Sequence, residues 1–244
     1  MKRSAKNKLA AQEQREIKPK FQQQRAEQLA NKPLVPLTEK QKYLIEEIKS
    51  KNLVVAMGYA GTGRTFVAAS VAAEMYHLGQ IDKIILARPA ISEAASVGFF
   101  SGSKDDKMLN WVAPMIDVLN KRLGKTVVDL AISEGNIELQ PLETIKGRSF
   151  GKDTFVICDE AQDATIEEIK SVVTRNANCK MVICGDVRQS ALKKNSGLYL
   201  LLDILDKSPE LDEYIGFIDF DEYDDIVRSK ICKQMIIAFE RAGF

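Results

Sequence analysis

Leu53-Val54-Val55-Ala56-Met57-Gly58-Tyr59-Ala60-Gly61-Thr62-Gly63-Arg64-Thr65 decides how this chain folds. The first five residues form an apolar run the length of one buried strand. The residues that follow, Phe66 to Tyr76, are rich in alanine and read as a helix. Strand, glycine loop and helix in that order make the phosphate-binding pattern G-x-x-x-x-G-K-[ST]. The glycines let successive backbone N–H groups converge on an anion, and the helix N-terminus adds its positive end. The backbone of Gly61, Thr62, Gly63, Arg64 and Thr65 is the expected phosphate cradle, with Gly58, Tyr59 and Ala60 leading into it. Thr65 stands where a hydroxyl holds Mg²⁺. Arg64 fills the lysine position with the same charge but a wide planar fork, so nucleotide binding is expected to survive better than charge placement at a γ-phosphate. A glycine-rich turn without a ligand is the plain alternative. The flanking strand and helix, with an acidic motif downstream, argue against it.

Outward from this stretch, apolar runs at Lys83–Ala87, Thr154–Cys158 and Lys180–Cys184 read as further strands. A short strand is expected at Ile137–Gln140 and a late one at Ile215–Phe220. Helices are expected from Thr38 to Ile48, around Asn110–Leu119, over Ile166–Thr174 and Leu198–Leu205, and from about Asp224 to Arg241. Thr38 and Gln41 have capping-box spacing, which is a sufficient structural reason for both. Near-continuous apolar strands alternating with helices predict an α/β fold, a mainly parallel sheet covered on both faces.

The 244 residues, 45% hydrophobic and 28% charged, suit one domain with a substantial core. Residues 1–36 carry nine Lys/Arg against three glutamates, a net +6, and read as a basic, mobile arm ahead of a domain at 37–244. Residues 203–225 carry ten acids against Lys207 alone. Such asymmetry points to nucleic-acid contact through the arm, or to a solvated tail. No apolar run reaches the roughly 20 residues of a membrane span, and the basic N-terminus lacks a signal peptide's apolar stretch. Four cysteines without C-x-x-C spacing fit a reducing compartment, so a cytoplasmic location is expected. The one histidine, His77, reads as a surface residue or a partner for the helix C-terminal dipole.

Asp159-Glu160-Ala161-Gln162 leaves the end of a predicted buried strand. Asp159 is the expected Mg²⁺ carboxylate and Glu160 the group that orients or deprotonates water. Gly185-Asp186-Val187-Arg188-Gln189 repeats that geometry one strand later, with Gln189 placed to sense a γ-phosphate. Arg88, at a strand end, is well placed for an anion. Arg228, read early in the last helix, is either an arginine inserted at a nucleotide, worth about 10³–10⁵ in rate, or a solvated helix arginine, and local evidence favours the second.

Taken in order, these motifs resemble the PhoH-like family, whose ATPase core is similar to that of superfamily 1 helicases. The resemblance covers about Leu37 to Phe239 and implies a P-loop NTPase fold of RecA-like, three-layer type. It gives Gln41 an adenine-side position and Arg228 a place completing the nucleotide site. Val97-Gly98-Phe99-Phe100-Ser101-Gly102 and Gly147-Arg148-Ser149-Phe150 resemble two further family segments. The resemblance implies an ATPase acting on RNA, often as a ring, with a hexamer favoured and helicase activity in some members. ATP and Mg²⁺ are then the expected cofactors. Arg88, Arg148 and the arm become candidates for RNA phosphates, and Phe99 or Phe100 for stacking on a base. Two competing expectations remain: a nucleotide-gated RNA-binding protein with little turnover because of Arg64, and a small-molecule kinase. Asp-Glu-Ala-Gln followed by Gly-Asp-x-x-Gln argues against the kinase, and no lid-like segment is apparent.

Overall fold

A computed structural model describes residues 33–89, 111–190 and 192–242. Six strands form one sheet: β1 (Leu53–Gly58), β2 (Lys83–Arg88), β3 (Ile137–Pro141), β4 (Thr154–Cys158), β5 (Lys180–Gly185) and β6 (Ile215–Phe220). Their spatial order is β3-β2-β4-β5-β1-β6, and every pair is parallel. Seven helices flank them among the described residues: α1 (Glu39–Ser50), α2 (Arg64–His77), α3 (Ala113–Leu123), α4 (Lys125–Ser133), α5 (Ile166–Val173), α6 (Gly197–Lys207) and α7 (Lys230–Arg241).

The two faces of the sheet divide its side chains by strict alternation. Val54, Ala56, Ile84, Leu86, Phe155, Ile157, Val182 and Cys184 face one way, under α1 to α4. Leu53, Val55, Met57, Ile85, Ala87, Val156, Cys158, Met181 and Ile183 face the other, under α5 and α6. Apolar residues therefore run continuously along each central strand, and the result is a three-layer α/β fold with a parallel sheet. In α2, Val67 through Ala73 are all buried. A helix apolar all round is an interior helix, and small alanines let it lie close to the sheet. The N-terminus of α2 is thereby held rigidly at the strand ends.

Several sequence expectations change in detail. The last helix begins at Lys230, capped by Ser229, rather than near Asp224. Residues 223–225 form a short turn in which the Asp225 carboxylate accepts the Glu222 N–H at 3.2 Å and pairs with Lys40 at 3.1 Å. Arg228 therefore lies in the segment before the helix. Residues 33–36, read as the end of the arm, lie on the folded body, with Leu34 packed against the core; residues 1–32 are outside the described residues. His77 closes α2 as expected but is buried rather than on the surface. No helix among the described residues is long and apolar enough to cross a membrane.

Candidate nucleotide site

At the carboxyl ends of β1, β4 and β5 lies a cavity of about 760 Å³. Its walls include Ala60 to Phe66, Asp159, Glu160, Asp186, Gln189 and Arg228. Strand ends at this edge of a parallel sheet are where ligands bind. Because β5 runs between β4 and β1, its trailing turn falls between the glycine loop and the acidic pair.

The glycine loop is suspended from three sides. Tyr59 N–H donates to the Phe220 carbonyl at 3.1 Å, and Val227 N–H donates to the Gly61 carbonyl at 3.0 Å. Gln41 Nε2 donates to the Thr62 carbonyl at 2.8 Å, while its Oε1 accepts the Leu37 N–H at 2.8 Å. Thr38 does cap α1, accepting Gln41 N–H at 3.2 Å. The expected reciprocal bond goes one residue further back, to Leu37, so Gln41 is a strut between the loop and the wall at residues 33–37. Gly61 and Gly63 take φ of 80° and 83°, the left-handed region that glycine enters without a side-chain penalty. The first N–H groups of α2 have no partner within the helix, and their residues line the cavity.

Thr65 Oγ1 donates to Asp159 Oδ1 at 2.7 Å, tying the start of α2 to the end of β4. Asp159 is buried, and burial pushes its carboxyl above the usual carboxylate value. The neighbouring Glu160 charge pushes the same way, while Thr65 and Arg88 pull it down. A hydroxyl and a carboxylate are hard oxygen donors that suit Mg²⁺, which takes few protein groups and fills its shell with water and phosphate oxygens. No cluster of three or more His, Cys, Asp or Glu that would form a closed protein cage occurs among the described residues. Thr65 and Asp159 are the residues that would hold the ion.

Glu160 sits at φ 53°, ψ 38°, a left-handed conformation that costs a non-glycine residue about 1–3 kcal/mol. Its carboxylate meets Arg88 Nη2 at 3.1 Å and accepts Gln162 Nε2 at 2.6 Å. Arg88 Nη1 also donates to the Trp111 carbonyl at 2.6 Å. Arg64 Nη1 is turned back onto the Gly58 carbonyl. Gln189 lines the cavity, as does Arg228, whose Cγ lies 2.6 Å from where a Cβ on Gly61 would stand.

Other sequence candidates lie elsewhere. Neither Gly58 nor Tyr59 lines the cavity; the Tyr59 ring has the Arg188 guanidinium 3.8 Å from its centroid and the Tyr223 ring at 5.3 Å. Arg148 pairs with Glu138 at 2.6 Å on the sheet-edge strand β3, beside Lys83. Phe99 and Phe100 lie outside the described residues. Two residues emerge that the sequence did not single out. Gln162 is buried and links Glu160 to the Asp186 N–H, which it accepts at 3.0 Å. Arg122 brings a buried guanidinium to the α3 wall. The Gln of Asp-Glu-Ala-Gln was a usable signal for the first; nothing local marked the second.

The family pattern described as PhoH-like protein matches residues 33–240. Protein PhoH of Escherichia coli strain K12 is 33% identical over 212 residues, covering 85% of this chain and 58% of that protein. The PhoH-like protein of Bacillus subtilis strain 168 is 34% identical over 204 residues, 82% of this chain and 62% of that protein. The chain thus spans about 58–62% of the length of these relatives. Among solved structures, the large terminase of a thermophilic bacteriophage aligns over 82% of this chain and 50% of its own, at 12% identity and a TM-score of 0.46. Matched from residue 33 to residue 240 by the family pattern and at one-third identity by these relatives, the chain belongs to the PhoH-like family.

Proposed function

We propose that this protein is a Mg²⁺-dependent nucleoside triphosphatase, with ATP as preferred substrate, that acts on single-stranded RNA in the manner of a helicase motor. The observation that carries the reading is the 2.7 Å bond between Thr65 and Asp159, which joins the glycine loop to the acidic strand end. Backbone amides of Gly61 to Thr65 receive the phosphates. Arg64 leaves the Gly58 carbonyl to pair with β/γ oxygens, Glu160 orients the attacking water, Gln189 senses the γ-phosphate and Arg228 stabilises developing charge. Bound Mg²⁺ supplies neutralisation of the phosphate charge. The RNA assignment rests on the family resemblance and the basic arm. Four free thiols support the cytoplasmic setting.

Self-association into a ring, a hexamer by preference, belongs to the same proposal. Ile231, Met235 and Phe239 recur every four residues along α7 and are exposed, flanked by Lys230 and Arg241. Ile166, Tyr199 and Ile204 are exposed on α5 and α6 beside Asp203 and Asp206. Unlike patches meeting head to tail close a ring when the rotation allows. Native mass with and without Mg–ATP tests this.

A second reading has its own observation. Arg64 is engaged with the loop's own carbonyl, so the chain is also suited to bind nucleotide and hold RNA with little turnover. Phosphate release with and without single-stranded RNA tests the first reading, and indifference to RNA sinks the coupling. An Arg64→Lys variant that gains about tenfold or more in turnover, equivalent to about 1.4 kcal/mol of barrier, at unchanged ATP affinity favours the second.

Asp159→Asn keeps an acceptor for Thr65 and removes the buried charge. Turnover is expected to fall on the order of 10²–10³-fold. Because the native carboxyl binds its proton more tightly than the unfolded one, its ionisation lowers stability as pH rises past the usual carboxylate range. The variant's Tm at pH 7 should therefore lie above that of the parent; a lower Tm contradicts the argument.

A further inference from the structure

This inference rests on the proposed reading of Glu160 as the group that activates water. Both oxygens of its carboxylate carry a donor, Arg88 Nη2 at 3.1 Å on Oε1 and Gln162 Nε2 at 2.6 Å on Oε2. A carboxylate gripped on both oxygens is held in one orientation. The two holders differ in how firmly they are fixed. Gln162 is buried, its Oε1 accepts Asp186 N–H at 3.0 Å, and its carbonyl accepts Ser190 Oγ at 2.7 Å. Arg88 is the last residue of β2; its Nη1 donates to the Trp111 carbonyl at 2.6 Å, and its ion pair with Glu160 is partly exposed, at 20% for the Arg88 side chain and 42% for that of Glu160. Exposed ion pairs are weak and exchange partners readily. A phosphate engages the guanidinium fork with two charge-assisted bonds.

We infer that Arg88 is a positioning residue that restrains Glu160 and yields it when a nucleic-acid backbone phosphate takes the guanidinium. RNA at the end of β2 then frees the carboxylate to turn toward the attacking water. The exchange trades one ion pair of the Arg88 guanidinium for another, with no covalent bond made or broken. The sheet supports the coupling, because Ala87 and Cys158 are register partners, which puts Arg88 and Glu160 at neighbouring strand ends.

Phosphate release by the full chain and by Arg88→Gln is compared with and without poly(U), in the native background and in Arg64→Lys. Arg88→Gln should raise RNA-free turnover about tenfold, lose RNA stimulation, and leave the ATP KM within about twofold. Arg88→Lys, which keeps charge but lacks the fork, should retain part of the stimulation and carries the comparison if Arg88→Gln unfolds in a thermal melt. Lower turnover of Arg88→Gln both with and without RNA overturns the inference, as does stimulation equal to the parent's. A chain that turns over ATP but shows those outcomes leaves the proposed function standing. A chain that binds no Mg–ATP by calorimetry defeats that reading and this inference together.

Discussion

Arg228→Ala is expected to lower ATP turnover by about 10³–10⁵-fold, the range for an arginine that meets the transferring phosphoryl group. The magnitude follows from where the residue sits. Val227 N–H donates to the Gly61 carbonyl at 3.0 Å, and the Arg228 stem packs on Gly61 so closely that a Cβ there would lie 2.6 Å from its Cγ. The arginine is thus already within its own chain's glycine loop, and it should act in cis. Mixing Arg228→Ala with Asp159→Asn should restore no activity, since neither protomer then has a complete site. Recovery in the mixture would instead place the working arginine across an interface. ATP affinity, measured separately, should fall far less than turnover.

Gly58→Ala should destabilise the fold by about 3–5 kcal/mol. Gly58 ends β1 at φ 130°, and a Cβ there would meet the Phe220 carbonyl oxygen at 2.2 Å. Left-handed backbone at a non-glycine residue costs about 1–3 kcal/mol, and overpacking adds about 1–3 kcal/mol. Relief by movement is blocked, because Gly58 is in register with Phe220 on β6, a fully buried residue whose carbonyl also accepts Tyr59 N–H. For a chain of this size the loss corresponds to a drop of roughly 10 °C in Tm. Equilibrium unfolding in urea checks it; an unchanged midpoint removes the argument for glycine at this place.

The strands were legible because a strand buried on both faces must be apolar at every position. The glycine loop was legible because it needs glycine where φ is positive. Helix α4 was not: Thr126-Val127-Val128 is β-branched and carries no helix signal, and packing of Val127, Val128 and Ala131 on the core overrides propensity. The start of α7 was misread because Asp224 and Asp225 look like first-turn acids, whereas Asp224 pairs with Lys233 inside the helix and Asp225 with the distant Lys40. The same limit applies to the arginines. Strand-end position marked Arg88 for an anion and the family resemblance marked Arg148, but the carboxylates that meet them, Glu160 and Glu138, come from other strands or strand ends and leave no trace in local spacing. Tyr59 followed the loop pattern in sequence, yet its ring turns to Arg188 and Tyr223.

The only tryptophan in the chain is Trp111, and its carbonyl receives the Arg88 guanidinium at 2.6 Å. Indole emission from this protein therefore comes from the residue whose backbone carbonyl anchors the arginine that grips Glu160. A shift in wavelength or quenching on adding an oligonucleotide would report that event in real time, without a dye attached to the molecule.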